Sequence, residues 1–135
     1  MMAKVAIITG AGSGLGQATA LRLAEEGINI AVVDVNETGG NETVELVKKL
    51  GVDAFFVKAD VSKLADVKNY VDKTVEKFGT IDYFFNNAGI SGSGKYFLET
   101  SPEDIEQIVG INLLGALYGA RFVAEVMLKN GGGSI

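Results

Sequence analysis

Four short apolar runs alternate along the chain with segments whose apolar residues recur every three to four positions. Lys4–Thr9, Asn29–Asp34, Ala54–Lys58 and Asp82–Phe85 are β-branched or aromatic runs bounded by Gly, Asn or Asp, the pattern of strands buried on both faces. Between them, Ala20, Leu21 and Ala24 share one helical face, and Thr43, Leu46, Val47 and Leu50 share the next. Val67, Tyr70, Val71, Thr74, Val75 and Phe78 give the clearest helical series in the chain. Gly27, Gly51 and Gly79 each stand just past one of these segments, where a helix ends most easily in a left-handed residue. Strands alternating with helices of this length imply parallel strands joined by right-handed crossovers. The expected fold class is therefore α/β, an open, doubly wound parallel sheet.

A fourth helix is predicted to open at Ser101-Pro102-Glu103-Asp104, with a capping Ser, a Pro at the first helical position and two acids near the positive end of the helix dipole. Ile105, Ile108, Val109, Asn112, Ala116, Ala120 and Val123 form one face, and Ile111, Leu114, Leu117, Tyr118 and Phe122 make much of the opposite face apolar as well. A helix that is apolar all round is covered on two sides. The sheet supplies one cover, and another helix or another subunit supplies the other, so a homo-oligomer assembled through this helix is expected. Gly131-Gly132-Gly133-Ser134-Ile135 reads as a loop entering a fifth strand. The sequence is thus expected to hold four complete strands and the start of a fifth, as the N-terminal part of a longer protein.

Composition narrows the chemistry. The chain has 135 residues with a formal net charge of −5, so it offers no basic surplus for nucleic acid phosphates. Cys and His are both absent, which removes thiolate chemistry, a His-based zinc site and a Ser-His-Asp triad; no metal site is expected. No targeting signal is evident, and no apolar run approaches the roughly 20 residues that span a bilayer. The expectation is a cytoplasmic protein with neither membrane nor nucleic acid as partner.

The glycines carry more information. Thr9-Gly10-Ala11-Gly12-Ser13-Gly14-Leu15-Gly16 lies between the first strand and the first helix. A dinucleotide site needs glycine here for a tight turn, for approach of backbone N–H groups to a pyrophosphate, and for close packing of helix on strand. The helix N-terminus then adds unpaired N–H groups and partial positive charge. The same residues also fit a plain flexible turn. Read as Gly10-x-x-x-Gly14-x-Gly16 after Thr9, the loop resembles that of the short-chain dehydrogenase/reductase family, whose cofactor domain is Rossmann-like. Asp34, at the end of the second strand, can accept hydrogen bonds from the adenosine ribose hydroxyls and repel a 2′-phosphate, or it can cap a turn. Neither Ser13 nor Val35 is basic, which favours NAD over NADP.

Further along, Asp60-Val61 follows the third strand, where the resemblance implies an Asp that bonds the adenine amino group and a neighbour packed on the ring; an Asp turn leading to a capping Ser62 is the plainer alternative. Asn86-Asn87-Ala88-Gly89 matches the family's N-N-A-G element, and Ile111-Asn112-Leu113-Leu114-Gly115 its N-x-x-G element. The resemblance makes Asn112 the asparagine of an Asn-Ser-Tyr-Lys catalytic set, helping to hold a water on the path from Lys to solvent. A buried Asn serving a helix kink or a subunit contact is the alternative. The implied cofactor contacts are Thr9, Gly10, Gly12, Ser13, Gly14, Leu15, Gly16, Asp34, Val35, Asp60, Val61, Asn87, Ala88 and Gly89.

The family's hydride transfer uses a Tyr-x-x-x-Lys pair and a Ser. Tyr70, Tyr83, Tyr96 and Tyr118 are followed four residues on by Thr74, Asn87, Thr100 and Phe122, so the pair is absent from these residues. The resemblance therefore implies the cofactor-binding part of an NAD(H)-dependent oxidoreductase that interconverts a small alcohol and a carbonyl, inactive by itself, with Ser91–Phe97 bordering the substrate pocket. A non-catalytic nucleotide-binding regulatory or interaction module is the rival reading.

Overall fold

A computed structural model describes residues 2–135. Strands β1 (Val5–Thr9), β2 (Asn29–Asp34), β3 (Ala54–Lys58) and β4 (Tyr83–Phe85) alternate with helices α1 (Gly14–Glu25), α2 (Glu37–Lys48) and α3 (Leu64–Phe78). The strands are all parallel, in the order β3-β2-β1-β4, with Ile7 of β1 in register with Ala31 of β2 and Phe84 of β4. Alternation along each strand divides the core between the two faces of the sheet. Ala6, Ile8, Ile30 and Val32 meet Ala20 and Ala24 of α1 and Val44 and Val47 of α2. Ile7, Ala31, Val33 and Phe84 meet Val67, Tyr70 and Val71 of α3. This is the doubly wound arrangement that the alternation of runs predicts. Ser134 pairs in parallel with Tyr83 outside β4, where a fifth strand is expected to begin.

One predicted helix face and one predicted cap need correction. On α2 the buried residues are Gly39, Gly40, Thr43, Val44 and Val47, and Leu50 lies beyond the helix with its side chain exposed. Two glycines extend this face because a Cβ on Gly40 would run into the Phe56 ring. Ser62 does not cap α3 either: the helix begins at Leu64 with Lys63 in the capping position, and the Ser62 hydroxyl turns back to Asp60.

The fourth helix departs further. α4 (Pro102–Ile108) opens with the expected cap, a reciprocal pair in which the Asp104 N–H donates to Ser101 Oγ and the Ser101 N–H donates to the Asp104 carboxylate. A π-helical turn over Val109–Leu114 follows, and α5 (Gly115–Lys129) continues the same rod. The buried stripe of α5 is Gly115, Gly119, Val123 and Met127, so only Val123 of the predicted face is buried there. Ile105, Val109 and Asn112 are exposed. Small residues decide this packing. A Cβ on Gly115 would come within 2.7 Å of Val61, and one on Gly119 within 2.8 Å of both Phe84 and Tyr70. The π turn also carries extra backbone per turn and shifts the helical phase, which a 3.6-residue pattern does not anticipate. Pro102–Lys129 is a 28-residue helix, long and apolar enough to cross a membrane by length and composition only. Its glycines pack on Val61 after β3, Tyr70 of α3 and Phe84 of β4.

Candidate functional site

The crossovers leave the sheet in opposite directions on the two sides of the β1–β4 boundary, and a crevice opens outside the carboxyl ends of the strands at such a switch point. A cleft of about 430 Å³ lies there. Gly10, Ser13, Gly14 and Leu15 form its floor after β1. Val33, Asp34 and Val35 come from the end of β2, Ala59 to Val61 from the end of β3, and Asn87 to Ile90 from the end of β4; Ile111 of the π turn closes the wall. Among the described residues, no Lys or Arg lines it.

The glycine loop is shaped by close backbone approach. Gly10 has a φ of 65°, and a Cβ on it would press within 3.1 Å of the Ala88 backbone. A Cβ on Gly16 would collide with the Gly10 carbonyl, so the first turn of α1 lies directly on the loop. Ser13 occupies the capping position of α1 but its side chain caps nothing, and the first turn carries no acid. Its N–H groups and partial positive charge are thus left for an anion at the cleft floor.

Asp34 holds this loop from the side. Its Oδ2 accepts from the Gly12 N–H at 2.8 Å and its Oδ1 from the Asn36 N–H at 2.9 Å. Each carboxylate oxygen keeps acceptor capacity for a second donor. The turn-capping and ribose-binding readings of Asp34 are therefore compatible. Asp60, which lines the cleft, is arranged alike: Oδ1 accepts from the Ser62 N–H and hydroxyl, its own N–H donates to Asp66, and Oδ2 has no hydrogen-bond partner among the described residues.

The Asn pair after β4 braces the switch point. Asn87 Nδ2 donates to the Thr9 carbonyl, and the Asn87 and Ala88 N–H groups both donate to Thr9 Oγ1, all at 3.0 Å. Asn86 Nδ2 donates to the Ala116 carbonyl of α5 at 2.8 Å. Asn112 is exposed, against the sequence expectation of a buried side chain. Its carboxamide grips one residue at both ends: Oδ1 accepts from the Ile90 N–H and Nδ2 donates to the Ile90 carbonyl, each at 2.8 Å.

Most of the candidate residues thus converge on one cleft. Thr9, Gly12 and Gly16 do not line it; they are buried behind its floor and act on it through other residues. Asn112 stands outside the lining and reaches it through Ile90. Ser91–Phe97 contributes nothing to the lining, and Tyr96 and Phe97 project into solvent at 84% and 81% exposure. Val33, Ala59, Ile90 and Ile111 also line the cleft, though none was among the expected contacts. Their signal was position, since each adjoins a motif residue at a strand end or in the fourth helix. The Tyr70 hydroxyl lies in the core without a hydrogen-bond partner among the described residues; burial raises its pKa, and it does not line the cleft.

A parallel doubly wound sheet with a glycine loop and an acid at the second strand end defines a nucleotide-binding α/β domain. The chain belongs to the short chain dehydrogenase family, whose model matches residues 4–135. An uncharacterized oxidoreductase of Thermotoga maritima is 45% identical over 132 residues, covering 98% of this chain and 51% of that protein. Levodione reductase of Leifsonia aquatica is 42% identical over 134 residues, covering 98% of this chain and 50% of that protein. Among solved structures, a short chain dehydrogenase/reductase from Burkholderia phymatum in complex with NAD superposes with a TM-score of 0.93 at 37% identity, covering 98% of this chain and 47% of that one. The chain spans about half the length of the curated relatives it matches.

Proposed function

We propose that these residues form the NAD-binding part of an oxidoreductase that interconverts an alcohol and a carbonyl. The observation that carries the reading is Asp34: a carboxylate at the end of β2, in the cleft wall, with no basic residue in the lining to pair with a 2′-phosphate. The NAD-bound relative supports the same cofactor.

The cleft fits the cofactor in chemical terms. Ser13, Gly14 and Leu15 present the open N-terminus of α1 to a pyrophosphate, with Gly10 giving the backbone room. Asp34 accepts from the ribose hydroxyls, and Val35 shields that side. Asp60 accepts from the adenine amino group, and Val61 packs on the ring. Asn87, Ala88 and Gly89 border the second ribose. Thr9, Gly12 and Gly16 shape the floor from behind it. NAD, when bound, supplies the hydride acceptor or donor.

Asn112 is proposed as a positioning residue for the Ile90 wall, since both ends of its carboxamide are engaged there. The proton on the substrate oxygen has no carrier in this sequence, because no Tyr-x-x-x-Lys occurs. We assign that step, and the substrate contacts, to residues outside these 135, and expect this chain alone to bind the cofactor without turnover. The same absence supports the rival reading of a nucleotide-binding module with no chemistry. The exposed ridge of Ile105, Val109, Leu113 and Leu117 supports self-association through the fourth helix, and membership of the short chain dehydrogenase family supports a cytoplasmic protein.

Calorimetric titration with NAD and with NADP tests the cofactor assignment. Saturable binding of NAD with at least about tenfold weaker NADP, the equivalent of about 1.4 kcal/mol, is expected. Equal affinity for both would remove Asp34 from the role given to it.

A further inference from the structure

The Ala11–Gly12 peptide, in the middle of the glycine loop, is held at both ends by side chains. Its N–H donates to Asp34, as described above. Its carbonyl accepts from Thr43 Oγ1 at 2.8 Å. Thr43 stands in the middle of α2, three elements along the chain, and is completely buried. The Gly39 carbonyl lies 3.1 Å from the same hydroxyl. A threonine hydroxyl has one proton, and the Ala11 carbonyl is the nearer acceptor. Gln17 Nε2, from the first turns of α1, then donates to Thr43 Oγ1 at 2.9 Å. One hydroxyl therefore joins the loop, the helix before β2 and the helix after it. The fit is close: a Cβ on Gly39 would come within 2.5 Å of the Gly12 carbonyl.

We propose that Thr43, oriented by Gln17, is a positioning residue that fixes the Ala11–Gly12 peptide plane and thereby aims the following N–H groups, those of Ser13, Gly14 and Leu15, into the cleft. A peptide held at its N–H alone can rotate about its two flanking bonds; one held at N–H and carbonyl cannot do so without breaking a buried hydrogen bond. Preorganised donors bind an anion without a further ordering cost. In its effect on affinity, this inference rests on the nucleotide-binding reading of the cleft; in its effect on the loop, it does not.

The test compares Thr43→Val, Thr43→Ser and Gln17→Leu in the same chain. Amide hydrogen exchange is followed without nucleotide. In Thr43→Val the Ala11 and Gly12 amides are expected to exchange about tenfold faster, the scale of one lost buried hydrogen bond, while Ile7 and Ile30 keep their rates. Thr43→Ser is expected to restore them, and Gln17→Leu to give a smaller change of the same kind. NAD affinity, measured well below each variant's melting temperature, is expected to fall about five- to tenfold in Thr43→Val and to recover in Thr43→Ser. Parental exchange at Ala11 and Gly12 in both Thr43→Val and Gln17→Leu overturns the proposal. So does faster exchange spread evenly over the sheet, which reduces Thr43 to ordinary core packing. If Thr43→Val does not fold, Gln17→Leu decides by the same two amides. If the parent chain binds no NAD, the cofactor reading fails and the exchange result alone decides the brace.

Discussion

On the β1–α1–β2 side of the cleft, the glycine loop is tied on three sides: to β2 through the Ala11 N–H and the Val33 carbonyl, to Asp34 through Gly12, and to α2 through Thr43. On the β4–α4 side, Gly89 and Ile90 are exposed, and the chain beyond them is held mainly through the two bonds between Asn112 and Ile90. Leu98 stands 96% exposed on that side, and the ridge from Ile105 to Leu117 is uncovered. The difference separates what these residues build alone from what they leave to a neighbour. The first wall is held in shape by these residues alone, whatever it binds. The second is braced at its base through Asn86, Asn87 and Ala88 but only through Asn112 at Ile90, and it carries a broad apolar surface, so the shape of its outer part depends on whatever packs against it.

The largest effect is expected at Gly16. A valine there must displace the Gly10 carbonyl, which is backbone and cannot swing aside as a side chain would. Overpacking of this kind costs at least about 3 kcal/mol. Urea unfolding of Gly16→Val is the measurement. A loss below about 1 kcal/mol would mean that the loop yields easily and that the first wall is less rigid than its bonding implies.

Asn112→Ala probes the other wall. Removing two hydrogen bonds to a largely solvated peptide is expected to cost about 1–2 kcal/mol. The loss is local: faster exchange of the Ile90 amide, with Ala11 and Gly12 unchanged. If the glycine loop loosens as well, the two walls act as one unit and the contrast between them fails.

The legibility of the sequence follows the same division. The strand runs and the α3 face were readable because burial of Val, Ile and aromatic side chains sets both the alternation and the period. The meeting of the glycine loop, Asp34 and Asp60 at one cleft was readable because each lies at a strand end of the same parallel sheet. The packing stripe of α5 was not, since Gly115 and Gly119 add no apolar side chain and act only by permitting contact with Val61, Phe84 and Tyr70. Thr43 counted as one more position on a helical face; its role depends on a hydrogen bond to a residue 32 positions away. Asn112 fell on a stripe of apolar letters and was placed in the core, whereas the π turn sets it at the surface with both ends of its carboxamide on Ile90.

The smallest effect on folding, and the most direct probe of the bare side, is expected from Leu117→Glu. Leu117 is 56% exposed, four residues from Leu113, and packs no core contact that a carboxylate would disturb. Substitution at such a site changes stability by less than about 0.5 kcal/mol. A charge in the middle of an apolar contact between two copies is a different matter, because it must be desolvated with no partner. Light scattering on a sizing column separates the two outcomes. Parent chain that elutes as an oligomer and Leu117→Glu that elutes as a monomer, with equal melting temperatures, would place self-association on this ridge. Parent and variant both monomeric at high concentration would leave the ridge without a second copy as its cover. A variant that remains oligomeric would move the contact off Leu117, and with it the account of why one wall of the cleft is left open.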